Sequence, residues 1–170
     1  MGLKGLKGYA ISVWGNCSQS YLHSLDHIHA SACRIINHLH STIEDDLCLS
    51  RINWLPIDYI YKRHILLKMF HIFMGSAPSQ TSELFSKPSR PTRFSNQFNI
   101  IRINTEVGRS SFQYTGLVIW NFINKKVNFS NISKGAFKTI IRKQSKDLLQ
   151  FSFNKEAIMI SNKKDDFVYF

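Results

Sequence analysis

Apolar residues recur at spacings of three and four along several stretches of this 170-residue chain, which is the period of an amphipathic helix. Leu22, Leu25, Ile28, Ala32, Ile35, Ile36 and Leu39 predict a first helix over about 20–40, with Ser18 or Ser20 able to cap its start. Thr42 followed by Glu44, Asp45 and Asp46 has helix-start chemistry, a hydroxyl and then carboxylates in the first turn. A short helix over about 43–50 follows from it. Pro56 suits the first turn of a third helix, about 56–74. Ile57, Ile60, Tyr61, His64, Leu67, Lys68 and His71 form one stripe of that helix, and Tyr59, Arg63, Leu66, Phe70 and Phe73 form another. Two apolar sides place it at the centre of a core. Gly75 ends it, and Pro78 prevents continuation.

Beyond Pro78 the pattern changes. Residues 86–96 read as a proline-rich basic loop. Residues 98–103 and 111–114 have strand composition, which predicts a small antiparallel hairpin over about 97–115, with Gly116 as a turn. A short helix is expected over 117–123. Ser133 caps a last one over about 133–150, with Phe137, Ile140, Ile141, Leu148 and Leu149 inward. Residues 9–15 could be an extended lead-in or a helix end, and 154–170 mix charges without period, as a loose tail does. The expected class is mainly α with a small antiparallel β-hairpin (α+β), with a bundle-like helical core in one region, 1–153.

Hydrophobic content of 44% and aromatic content of 13% argue for a packed core and against global disorder. The net charge of +11 favours a polyanionic partner, most simply nucleic acid. The excess is uneven. Residues 1–50 carry three Lys+Arg against four Asp+Glu, 51–109 carry nine against three, and 110–153 carry seven against one. Three cysteines, Cys17, Cys33 and Cys48, do not make a paired disulfide framework, so a reducing compartment is expected. The opening residues are interrupted by lysines and do not resemble a signal peptide. The Ser/Thr of a myristoylation signal is missing too. The most apolar run, 65–74, is far below the roughly 20 residues of a membrane span. An intracellular protein, nuclear or cytoplasmic and without a membrane segment, is expected.

Catalytic chemistry finds little support. Asp45-Asp46 could suggest a two-metal polymerase, but such a site needs paired carboxylates on a hairpin and a third from elsewhere. Here the pair sits at a helix start, and no Tyr-x-Asp-Asp segment occurs. Zinc would require Cys17, His23, His27 and Cys33 to converge, without any Cys-x(2–4)-Cys knuckle. No Gly-x-Ser-x-Gly elbow and no glycine-rich phosphate loop appear. The expectation is a non-enzyme with no cofactor and no metal. The basic residues carry more. Lys87, Arg90, Arg93, Arg102 and Arg109 are interleaved with Phe94, Phe98, Phe112 and Tyr114. Lys125, Lys126, Lys134, Lys138, Arg142, Lys143 and Lys146 follow, the last five on the outer face of the last helix. Such cations bind phosphates, and such rings either stack on unpaired bases or form the core of a small sheet.

Several short segments carry a family resemblance by their order. They are Tyr9-Ala10-Ile11-Ser12-Val13-Trp14-Gly15; Leu25 and Ala32-Cys33-Arg34-Ile35-Ile36; Leu49-Ser50-Arg51-Ile52-Asn53-Trp54-Leu55-Pro56-Ile57, then Arg63; and Gly75-Ser76-Ala77-Pro78 with Leu84-Phe85. Arg109-Ser110-Ser111-Phe112-Gln113-Tyr114-Thr115-Gly116, Ile119-Trp120-Asn121 and Phe137-Lys138 complete the order. From about Tyr9 to Leu149 the chain resembles the C-terminal region, beyond the catalytic palm, of non-LTR (LINE-type) retrotransposon reverse transcriptases. It departs from that family after Trp120-Asn121, where Phe122-Ile123-Asn124 replaces the usual Leu-Pro pair. The resemblance implies a parent RNA-directed DNA polymerase that copies its RNA at a nicked target, and an accessory segment that helps hold nucleic acid. The palm carboxylates and any endonuclease domain have no counterpart here. The expected partners are RNA or single-stranded DNA and a reverse-transcriptase catalytic domain. The alternative is a protein-interaction module, or a decaying open reading frame, with no nucleic-acid role.

Overall fold

The computed structural model describes residues 11–51, 54–88, 96–127, 129, 132–144, 148 and 151. Eight helices are formed among them: α1 (Ile11–Trp14), α2 (Gln19–Ile36), α3 (Asp45–Arg51), α4 (Ile57–Phe73), α5 (Ser79–Ser82), α6 (Glu106–Arg109), α7 (Phe112–Lys126) and α8 (Lys134–Lys143). The chain divides into two compact units, Met1–His64 and Ile65–Phe170, the division falling inside α4.

In the first unit α2 packs on α3. The expected inward stripe of α2 is only partly used: Leu22 is buried, but Ile28 is 64% exposed and Ile35 76%. The buried face instead runs through Ala30 and Cys33. Small side chains let α3 come close there, so that Cys48 Sγ lies 3.7 Å from the Ala30 carbonyl. His29 stacks on Trp54 at 4.7 Å between ring centroids. Asp26 of α2 caps α4 from outside, its Oδ1 accepting from Ile57 N–H at 2.8 Å. That satisfies one of the donors every helix start leaves open. Gly15 lies against the Tyr61 ring, where an added Cβ would stand 2.4 Å from Cδ2.

In the second unit α4 ends as expected. Gly75 takes φ +69, and Ser76 N–H returns to the His71 carbonyl at 2.9 Å, the usual left-handed close of a helix. Ser133 caps α8, accepting from Ala136 N–H at 3.2 Å. The expected β-hairpin is absent: the described residues contain no strand. Residues 111–114 open α7 instead, because the Ser111 hydroxyl accepts from Tyr114 N–H at 3.3 Å as an N-cap. Buried positions then run from Tyr114 through Asn121 without a gap, and packing of that kind overrides the strand propensity of Phe, Tyr and Thr. Gly116 is no turn. It lies inside α7, where an added Cβ would stand 2.7 Å from Met69 Sδ.

The other half, 98–103, forms no strand, although Asn99 N–H donates to the Ser86 carbonyl at 2.9 Å. Phe98 N–H donates to Asn121 Oδ1 at 3.0 Å, and Asn121 Nδ2 donates to the Phe98 carbonyl at 2.8 Å. One side-chain amide thus supplies the donor and acceptor that a neighbouring strand would have offered. Around it, aromatic rings form the core. Trp120 contacts Phe73 and Phe129, each at 5.2 Å, and Phe98 and Phe137, each at 6.0 Å. Its indole N–H donates to the Asn96 carbonyl at 2.9 Å. Residues 154–170 and the middle of the proline-rich loop lie outside the described residues.

Candidate nucleic-acid interface

All the cations expected at a nucleic-acid site belong to the second unit. By sequence the first unit holds six Lys+Arg against five Asp+Glu, and the second sixteen against six, so net charges are +1 and +10. Within the second, residues 107–146 contain eight Lys+Arg and no acidic residue.

The helices place several of these side chains. Lys134, Lys138 and Arg142 recur every fourth residue of α8, one stripe beside the buried seam of Phe137 and Ile141. Lys134 and Arg142 are exposed and Lys138 is partly so. Arg142 and Lys143 fall in the last turn of α8, and Lys125 and Lys126 in the last turn of α7. A cation there also suits the helix macrodipole. Lys134 is different: it occupies the first helical position of α8, where the same dipole disfavours positive charge. Helix stability therefore does not account for it.

Other expected site residues are occupied locally. Lys87 Nζ sits 4.5 Å over the Phe73 ring and 3.4 Å from its carbonyl. Lys126 lies over Phe122 at 5.0 Å. Arg109 turns its Nε onto the Ile103 carbonyl at 3.1 Å. Arg102 is exposed. Arg90, Arg93 and Lys146 lie outside the described residues, as does Phe94. Lys68, not expected at the surface, is exposed with Nζ 5.7 Å over Phe112; its place in an apolar stripe hid it.

The rings do not form a stacking platform. Phe98, Tyr114 and Trp120 are buried, and half-buried Phe112 packs edge-on against Phe85 at 5.9 Å. They are core, and their faces are not open to a base.

The first unit shows cations used in another way. Arg34 Nη2 donates to Asp45 Oδ1 and to the Ile43 carbonyl, the latter at 2.6 Å. Burial pushes the Asp45 carboxyl up, but the hydrogen bonds from Arg34 and His27 and their charges outweigh it and hold the group below its ordinary value. Buried Lys62 pairs with Asp58 one turn back. Asp45 thus serves an ion pair. Among the described residues no group of three or more His, Cys, Asp or Glu side chains is placed to hold a metal ion. Cys33 meets Cys48 instead of the imagined zinc partners. Nor is any described helix long and apolar enough to cross a membrane.

The chain matches no protein-family model, no curated protein and no solved structure.

Proposed function

We propose that this chain is a non-catalytic, reverse-transcriptase-derived accessory segment that binds RNA or single-stranded DNA through phosphate contacts, inside the cell. The observation that carries the reading is the acid-free run 107–146 with its eight cations. Lys125, Lys134, Lys138, Arg142 and Lys143 in it have no carboxylate partner among the described residues. Phe98, Tyr114 and Trp120 are buried, so the contact proposed is with the phosphate backbone and tolerant of sequence. The test is a binding titration with single-stranded RNA and DNA at rising salt. Each engaged phosphate contributes about −0.7 to the slope of log K against log salt, so five give roughly −3.5. A flat response sinks the reading.

A second reading, a protein-interaction module, is favoured by one observation. Tyr21, Ile28 and Ile35 are exposed on α2 at seven-residue spacing, a helical seam of the kind that docks on a partner helix. The partner this reading names is a reverse-transcriptase catalytic domain. Ile28→Glu with unchanged oligonucleotide affinity but lost association with that domain would favour it.

A further inference from the structure

Three cysteines are free thiols in the structure, and two of them meet. Cys33 stands in the last turn of α2 and Cys48 within α3, 15 residues apart in sequence. Both are fully buried in a small cluster with Leu49, packed by Leu39, Ile43 and Trp54. Their sulfurs lie 2.6 Å apart, about 0.5 Å beyond the roughly 2.05 Å of a disulfide bond. Cys33 Sγ also approaches the Cys48 carbonyl at 2.9 Å, so the thiols face each other across the α2–α3 contact. Cys17 is not part of the cluster.

We propose that Cys33 and Cys48 are a dithiol site that closes to an intramolecular disulfide on reaction with a small-molecule disulfide such as oxidised glutathione, joining α2 to α3. When local opening of α3 exposes the pair, one cysteine thiolate attacks a glutathione sulfur; the glutathione S–S bond breaks, and a mixed disulfide and one glutathione thiolate result. The second cysteine thiolate then attacks the protein sulfur of that mixed disulfide and expels the second glutathione thiolate. The protons lost by the two cysteines end on the two glutathione thiols. The pair is oxidised by two electrons and one glutathione disulfide is reduced. Burial, with the neighbouring Cys48 thiol, raises the Cys33 thiol to about 11. Cys33 is thus protonated at neutral pH, and the dithiol persists until an oxidant is supplied. The bond would fix the short helix α3, which Arg34 and His27 of α2 also hold through Asp45.

The experiment treats the folded full chain and its Cys17→Ser variant with oxidised glutathione. Acid quenching, denaturation, alkylation and peptide mapping by mass spectrometry follow. The expected product has lost about two mass units, carries a Cys33–Cys48 cross-linked peptide, and forms equally in Cys17→Ser. Dithiothreitol restores two alkylatable thiols, and the oxidised chain melts several degrees above the reduced one. The proposal is overturned if Cys33 and Cys48 both remain alkylatable, if either keeps a stable glutathione adduct, or if the linkage found involves Cys17. The mapping is done on the natural chain, so no outcome depends on a cysteine variant folding.

Discussion

The two units use the same side chains to opposite ends. In Met1–His64, Arg34 and Lys62 are drawn inward and meet Asp45 and Asp58. In Ile65–Phe170, Lys134, Arg142 and Lys143 stand exposed on a helix surface, while the buried residues are aliphatic and aromatic side chains with Thr115 and Asn121. A cation held by a carboxylate is part of the fold, and its removal leaves a stranded opposite charge. A cation with no such partner adds little stability and keeps its charge for a ligand. Total charge therefore says less about function than how it is paired, and the contrast can be pressed at both ends.

The largest effect belongs to the ring core. Trp120 is fully buried and touches four other rings, so Trp120→Ala should cost about 3–5 kcal/mol. Chemical denaturation would show it as a lower midpoint with an unchanged slope. A loss below about 1 kcal/mol would mean that the rings are not the core. Asn121→Ala comes next. It leaves the buried Phe98 N–H and carbonyl without their partner, at about 1–3 kcal/mol. Hydrogen exchange would report it first at the Phe98 amide.

Asn121 also explains why the strand composition of 98–103 yields no hairpin. Residues 98–103 have strand composition, but what completes Phe98 is an amide 23 residues further on, a contact no local pattern encodes. Two helix boundaries were legible because their chemistry is local: Ser133 caps α8 and Gly75 closes α4 as the residues suggest, whereas Ser18 makes no side-chain cap bond at the start of α2. Ser111 has the same capping chemistry, but Phe, Tyr and Thr behind it imitate a strand. On α2, periodicity located the helix but not its buried face, since the close approach of α3 selects small Ala30 and Cys33 over large Ile28 and Ile35. The cations of the candidate interface could be named from charge alone. That Lys87 would lie on Phe73, while Lys134 stands exposed at the head of α8, could not.

In the first unit the test is acid. The folded Asp45 carboxyl titrates below its ordinary 3.8. Its contribution is therefore complete above the unfolded value and disappears as pH falls through the folded one. The carboxylate is 38% exposed, which limits the pair to about 0.5–1 kcal/mol. Asp45→Asn should lose that much at pH 7, and the difference from the natural chain should shrink as pH falls below 3.8 and close as it passes through the lowered folded value. A difference that stays constant from pH 7 to pH 2 would show that Asp45 acts by packing rather than by charge.

The smallest effect in stability separates the two units most clearly. Lys134 opens α8 against the helix dipole, so Lys134→Glu should raise stability by about 0.3 kcal/mol or slightly more. The same change places a carboxylate in the acid-free run 107–146. It should weaken oligonucleotide binding and flatten the salt dependence by roughly 0.7 in slope. Opposite signs in melting and binding are what an available cation produces. A cation kept only for the fold would move melting and leave the salt slope unchanged, as Arg34 is expected to do in the first unit, where its guanidinium holds Asp45 and the Ile43 carbonyl.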